Sequence, residues 1–468
     1  MFFKYFKKAV LIALLITSNA KAQPFFPVGS GVDQPIICLH ADTITNILFA
    51  GGWFSQAGGL QSHCIATWNG ANWDSTRNQM LYPPLDQVTD IEKFNNEIYI
   101  TGSCGIYDTL GIFDSWCPSK WDSSANVWID FGANPNYQVQ SLYLYNNELY
   151  FLGLFDSIGG IYSSKIARYD GTNWYGYPPL DTSGGWGQIG AAMYYNGDLY
   201  VGGNYGISGF SPTEDLAMFD GTQWLPVGGG LSGAATGVGS FEIYQGKLIV
   251  GGTFQTAWGD PGNNIAAWDG TSWSQLGTGL IGSNGVWDLE VYNGELWACG
   301  NFVNAGGLPV SNLAKWDGTQ WYSLGVTFDN TVASMAVLGN DLYIAGAFWT
   351  MNGDSVHRII RYNYLTGFES LEPEENQIEI FPNPASSTLT IKNFNSVSLP
   401  APSFTGSAVE VYNTLGEKLK SFSFSQLSCH PEPVEGVEVF IGDLPKGLYL
   451  IQLKNEFETI HSQKIILQ

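Results

Sequence analysis

A unit of about fifty residues recurs seven times between residue 23 and about residue 370, and no other property of the sequence restricts the fold so strongly. Its clearest copy runs Val286-Trp-Asp-Leu-Glu-Val-Tyr-Asn-Gly-Glu-Leu-Trp-Ala-Cys-Gly-Asn-Phe302, then a loop, then Asn312-Leu-Ala-Lys-Trp-Asp-Gly-Thr-Gln-Trp-Tyr-Ser-Leu-Gly325. Four strands, a to d, are legible in it. Asn293-Gly294 joins the first two and Asp317-Gly318 the last two, both dipeptides that suit the positive φ of a two-residue hairpin turn. The first turn recurs at Asn196-Gly197 and Gln245-Gly246, with Asn95-Asn96, Asn146-Asn147 and Gly339-Asn340 as variants. The second recurs at Asn69-Gly70, Asp170-Gly171, Asp220-Gly221 and Asp269-Gly270. Strand d is marked by Trp73, Trp128, Trp174, Trp224, Trp273 and Trp321, with Phe368 in a degenerate last copy.

Side-chain direction fixes how such units must associate. If Asp269-Gly270 is a two-residue turn, Trp268 pairs with Thr271 and Ala266 with Trp273, and all four share one face. The same reasoning sets Ala66 against Trp73, Ala167 against Trp174, Ala217 against Trp224 and Ala314 against Trp321. The opposite face of strand c begins with Ile65, Ile166, Leu216, Ile265, Leu313 or Ile359, so it is apolar too. A sheet apolar on both sides has to be covered on both sides, and radial stacking does this. The expected fold is therefore all-β, a seven-bladed β-propeller. Phe26-Pro-Val-Gly-Ser-Gly-Val32 copies the ending of strand d and is the favoured closing strand; Phe368-Glu-Ser-Leu371 is the alternative.

Composition agrees and sets outer bounds. Only 13% of residues are charged, 15% are aromatic and 57 are glycine, which suits short strands and tight turns. Residues 1–22 read as a signal peptide, basic, then apolar from Ala9 to Ile16, then Ala20-Lys21-Ala22 before Gln23. That run is short for a bilayer span and nothing later approaches ~20 apolar residues, so no transmembrane segment is expected. The net charge of −23 excludes nucleic acid and anionic membranes as expected partners. All six cysteines follow residue 22, where disulfides persist after export. Cys104 and Cys117 bracket one loop and are expected to pair, Cys38 with Cys64 is a second candidate pair, and Cys299 reads as a buried small hydrophobe. The five histidines are scattered and no C-x-x-C occurs, so neither a metal nor any other cofactor is expected.

The Gly-Gly doublets after strand b (Gly51-Gly52, Gly202-Gly203, Gly251-Gly252), followed by paired aromatics, resemble kelch repeats. Most of their aromatic pairs stand five apart, closer than in that family, so the repeat is kelch-like. Phe302-Val-Asn-Ala-Gly-Gly307 and the Ile-Ala-x-Trp-Asp-Gly-Thr phrase also resemble fungal cortical polarity-marker proteins and many exported bacterial proteins. After an acidic linker at 372–377, residues 378–468 resemble the C-terminal sorting domain of the type IX secretion system found in Bacteroidetes. The matching motifs hold Pro382, Asn383 and Pro384, then Gly416, then Gly447 and Tyr449. The resemblance implies a small C-terminal β-sandwich, export to the medium or the outer cell surface, and the type IX machinery as a partner. Residues 396–407 and 429–436 depart from the family pattern and read as inserted loops.

No catalytic constellation is visible in the sequence. Asp170, Asp220, Asp269 and Asp317 precede glycine in turns, where aspartate tolerates a left-handed backbone. The sialidase Asp-box is similar, but sialidases converge three arginines on a carboxylate. This chain has four in all, with Arg168 and Arg361 in equivalent strand-c positions of different blades. A galactose-oxidase-like copper site would need paired histidines and tyrosines, and His40, His63 and His357 share no ligand spacing. What remains is surface: the b–c and related loops carry Trp53, Tyr107, Trp116, Tyr162, Phe210, Trp258 and Trp349, candidates for stacking on sugars or anchoring a protein. The expected function is a non-enzymatic binding or adhesion module for a glycan or protein. A polysaccharide lyase or hydrolase and a structural surface component are the alternatives.

Overall fold

In a computed structural model, the structure describes residues 25–75, 87–107, 113–180, 187–204, 215–232, 237–257, 262–282, 285–363, 379–381, 385–392, 408–413, 417–423, 437–454 and 459–467. These residues form strands, bridges and turns with no helix. The chain divides into two compact units, one of Phe25–Tyr362 and one containing Asn363–Gln468.

The first unit holds seven antiparallel four-stranded sheets. Their a strands are Ile36–Asp42, Gln87–Phe94, Val139–Tyr145, Gln188–Tyr195, Gly237–Tyr244, Gly285–Tyr292 and Val332–Leu338. Each a strand carries a β-bulge near its start, as between Val286 and Asp288, and then pairs with strand b through a tight turn. Asn293 and Gly294 occupy that turn at φ 51° and 76°, and Tyr292 pairs with Glu295 across it. Neighbouring a strands lie side by side from sheet to sheet, and Val332–Leu338 of the seventh lies beside Ile36–Asp42 of the first. One buried cluster joins Leu48, Ala66 and Trp68 of the first sheet to Ala336, Tyr343 and Ile359 of the seventh.

Repeated hydrogen bonds fix the level of one sheet against the next. The Leu142 amide donates to Asp90 Oδ2 (2.7 Å), Leu289 to Ser240 Oγ (3.2 Å), Met335 to Asp288 Oδ2 (2.7 Å) and Leu39 to Ser334 Oγ (3.1 Å). The last of these runs from the first sheet back to the seventh. Because equivalent residues meet at one level, the described b–c loops leave at the same end of their sheets.

The seventh sheet takes its outer strand from the N-terminal side: Phe25–Pro27 pairs with Ile359–Tyr362, Phe25 opposite Tyr362. Phe368 lies outside the described residues.

The c–d hairpin corrects the sequence reading. Trp268 faces Trp273 and Ala266 faces Gln275, so four residues, not two, make the turn. Asp269 Oδ1 accepts the amides of Thr271 (2.8 Å) and Ser272 (2.7 Å), while Gly270 alone takes positive φ, 97°. Aspartate is here an acceptor for turn amides rather than a left-handed residue. The shift in register is an even number of residues, so alanine and tryptophan still share a face.

In the second unit, Glu379–Phe381, Thr388–Lys392 and Val437–Phe440 form one sheet, and Lys418–Ser423, Ala408–Tyr412, Gly447–Lys454 and Thr459–Leu467 form another. Ile380, Leu389, Val409, Val439, Ile451 and Ile465 belong to one buried cluster spanning both.

Candidate functional site

Among the described b–c loops, those of the first, third, sixth and seventh sheets are small hairpins. After strand b a phenylalanine turns inward, and Phe54, Phe155, Phe254, Phe302 and Phe348 are all buried. A two-residue ladder follows, Gln56–Ala57 with Leu60–Gln61 in the first sheet and Ser157–Ile158 with Ile161–Tyr162 in the third. The turn between them is a glycine pair. Gly159 lies so close to the strand-d indole that a Cβ there would stand 2.2 Å from Trp174. The chain returns to strand c through a left-handed residue whose carbonyl accepts a strand-b glycine amide: Cys64 to Gly52, Lys165 to Gly153, Asn264 to Gly252, Asn312 to Gly300 and Arg358 to Gly346.

On this scaffold three of the sequence candidates are exposed: Trp53 at 57%, Tyr162 at 66% and Trp349 at 39%. They belong to the first, third and seventh sheets, of which the seventh and first are neighbours. The Trp53 indole donates to Gln87 Oε1 across to the second sheet. Trp349 is held by its own amide, which donates to Asp329 Oδ1 (2.7 Å), and its ring lies 4.5 Å from that of His357. Tyr107 and Trp116 fall in a short strand pair, Gly105–Tyr107 with Phe113–Trp116, and Phe210 and Trp258 lie outside the described residues. Leu60, Val303 and Leu308 are also exposed on these loops, and Trp287 at the sixth-sheet bulge. The sequence reading missed them because it looked for aromatics in loops alone.

The cysteines separate cleanly. Cys104 and Cys117 are disulfide-bonded, whereas Cys38 and Cys64 are both buried thiols, which corrects the second pairing. Their strands place them in the wall between the first and second sheets, among Ile65, Val88 and Ile91. Cys299 is fully buried, and burial raises its thiol well above the ordinary value.

Most of the described basic side chains of the first unit pair with a carboxylate of the scaffold. A strand-c cation pairs with a strand-b acid at one repeated position: Lys120 with Glu97, Arg168 with Glu148, Lys315 with Glu295 and Arg361 with Asp341, at 2.7–2.9 Å. Arg168 and Arg361 therefore do not converge on a ligand. Carboxyls of the a strands are unusual in another way. Burial raises Asp90 to about 6, Asp288 to about 7 and Glu92 to about 8, and burial with the charges of Asp288 and Glu242 raises Glu290 to about 9. Burial lowers His40 to about 4. Asp90 and Glu92 share the second sheet and Asp288 and Glu290 the sixth, His40 Nδ1 lies 3.6 Å from Glu92, and the described residues contain no group of three side chains that could hold a metal ion.

In the second unit Gly447 opens the strand Gly447–Lys454 and Tyr449 is buried, its hydroxyl donating to the Pro445 carbonyl. Pro382, Asn383, Pro384 and Gly416 lie outside the described residues.

Comparison with known proteins adds one assignment. Residues 379–468 match the family described as secretion system C-terminal sorting domain. The protein is accordingly a type IX secretion cargo, secreted or attached to the cell surface. No helix among the described residues is long and apolar enough to cross a membrane. No curated protein matches the chain. Among solved structures, a computationally designed protein is similar at 12% identity, covering 72% of this chain and 99% of its own, with a TM-score of 0.42. Extracellular domains described as belonging to a one component system and a hybrid two component system of B. thetaiotaomicron are similar at 12% and 11% identity. Each covers 95% of this chain, with TM-scores of 0.44 and 0.46. This chain spans 58% and 59% of their lengths.

Proposed function

We propose that this exported protein is a binding or adhesion module, a seven-bladed kelch-like β-propeller of residues 23–371. It is followed by a linker at 372–377 and a β-sandwich sorting domain at 378–468, and preceded by a signal peptide at 1–22. The propeller reading is supported by seven like sheets whose a strands neighbour one another in succession and return to the first. The binding reading is carried by one observation: rigid hairpins at one end of the unit hold Trp53, Tyr162 and Trp349 exposed. Large aromatics held in place lose little conformational freedom on contact, which suits them to a sugar or a protein surface.

A glycan array probed with the full chain, with reducing-end release measured for every hit, tests this reading. Binding without turnover is the expected result. Turnover of a hit establishes an enzyme instead, and failure to bind any glycan or any surface protein removes the binding role.

A further inference from the structure

The left-handed slot before strand c holds asparagine in the fifth and sixth sheets, at Asn264 (φ 68°) and Asn312 (φ 61°). Asparagine tolerates this backbone, and here it also works: Asn264 Nδ2 donates to the Leu280 carbonyl (2.7 Å) and Asn312 Nδ2 to the Asn330 carbonyl (2.9 Å). In the seventh sheet the slot holds Arg358 at φ 76°, directly after His357 at φ 53°. His357 repeats the scaffold role of Asn263, since its Nδ1 meets the Ser30 carbonyl (2.8 Å) as Asn263 Nδ2 meets that of Thr278 (2.8 Å). Arg358 stands where Lys165 (φ 68°) stands in the third sheet, and its Nη1 meets the Ala347 carbonyl as Lys165 Nζ meets that of Leu154 (2.9 Å); Lys165 also holds Asp156 (3.0 Å), a carboxylate for which Arg358 has no counterpart among the described residues. A cation that keeps the backbone contact of its slot but lacks the carboxylate its counterpart holds is the kind of departure from which function is inferred.

Its surroundings sharpen the point. Among the described basic residues of the first unit, Lys93, Lys120, Lys165, Arg168, Lys315 and Arg361 each have a carboxylate partner, and Lys247 bonds Ser274 Oγ. Arg358 has no carboxylate partner among the described residues. Its Nη1 donates to the Ala347 carbonyl, and its Nε is buried with no hydrogen-bond partner. The acids whose charge acts on it, Asp329 and Asp33, are turned onto backbone amides of Trp349 and Thr350 and of Ser55 and Gln56. The guanidinium lies 5.2 Å from the ring of Trp349, which stays exposed.

We propose that Arg358 and Trp349 form a binding site for an acidic sugar, the guanidinium taking its carboxylate and the indole its apolar ring surface. A guanidinium fork matches a carboxylate in two parallel hydrogen bonds, and a uronate carries that carboxylate one bond from C–H groups an aromatic can cover. The inference rests on the binding-module reading and assigns a ligand class to one part of its loop-bearing end.

The test is calorimetric titration of the full chain with a galacturonic acid oligosaccharide and with the galactose oligosaccharide of the same length. The wild type is expected to bind the acidic sugar and to bind the neutral one at least about tenfold more weakly. Arg358→Asn and Trp349→Ala should each weaken the acidic sugar by about tenfold or more. Arg358→Asn installs the residue of the fifth- and sixth-sheet slots, so its thermal midpoint should equal or exceed that of the wild type. A variant that keeps its midpoint and loses the acidic sugar separates binding from folding. Unchanged binding in Arg358→Asn, equal binding of both sugars, or binding of a poly-glutamate peptide in place of the sugar overturns the site. Glycans bound elsewhere on the protein would then still uphold the module.

Discussion

The indole nitrogen of Trp321 donates a 2.8 Å hydrogen bond to the carbonyl oxygen of Leu276, 45 residues earlier. The relation repeats: Trp273 donates to Gly228, Trp224 to Pro178 and Trp73 to Val28, at 2.8–3.2 Å. Each acceptor lies just beyond the d strand of the preceding sheet, so every such tryptophan fills its own sheet and latches the one before. Trp321→Phe keeps most of the apolar contact but leaves the Leu276 carbonyl without its donor. We expect a loss of about 1–3 kcal/mol in urea unfolding, with Trp273→Phe similar; unchanged midpoints in both would remove the latch.

The N-terminal strand supplies the same acceptor for Trp73 through Val28, and its Phe25 ring lies 4.9 Å from that of Tyr362. Deleting residues 25–34 therefore strips an outer strand from the seventh sheet and a latch from the first. The thermal midpoint is expected to fall by several degrees, with loss of cooperativity. A deletion variant as stable as the full chain would show that another segment closes the structure.

Turn chemistry gives a local test. Gly270 at φ 97° stands where an L-residue is strained, so Gly270→Ala should cost about 1–2 kcal/mol. Asp269→Asn should be mild, because an amide oxygen can still accept from Thr271 and Ser272, and Asp269→Ala should be worse. Equal stability of the Asn and Ala variants would mean that those hydrogen bonds contribute nothing.

The buried acids predict a pH dependence of definite sign. Glu290 keeps its proton up to about 9 in the fold, whereas an unfolded glutamate releases it near about 4.3. Across that window the folded state binds more protons, so this group makes stability fall as pH rises. The turn carboxylates act oppositely, for Asp170 and Asp220 are held to about 2 by turn amides and side-chain donors, and stability from them is lost as pH falls toward that value. Glu290→Gln should raise the midpoint near about pH 8 and leave it unchanged near about pH 4. An equal gain at both would contradict the assignment.

Much of this was legible in the sequence because strand side chains alternate with period two. The repeat, the four strands and the apolar faces followed from Ala266, Trp268 and Trp273 even though the turn between them was misread. Asp-Gly suits a two-residue and a four-residue turn alike; the discriminating signal was the following threonine, as Thr271 Oγ1 bonds Asp269 Oδ1 at 2.8 Å. The level-setting pairs such as Asp288 with Met335 could not be read, since they join residues of different repeats. Arg358 could have been found by aligning the slots before strand c, where it stands in register with Lys165, Asn264 and Asn312.

The central claim, that the loop-bearing end binds a ligand through its exposed aromatics, is tested most directly by one affinity comparison. A glycan or protein ligand found by screening is titrated against the full chain and against Trp53→Ala/Tyr162→Ala/Trp349→Ala. These side chains are exposed, so the thermal midpoint should hold while affinity drops about tenfold or more. Full affinity in the triple variant would place the ligand elsewhere and contradict the account.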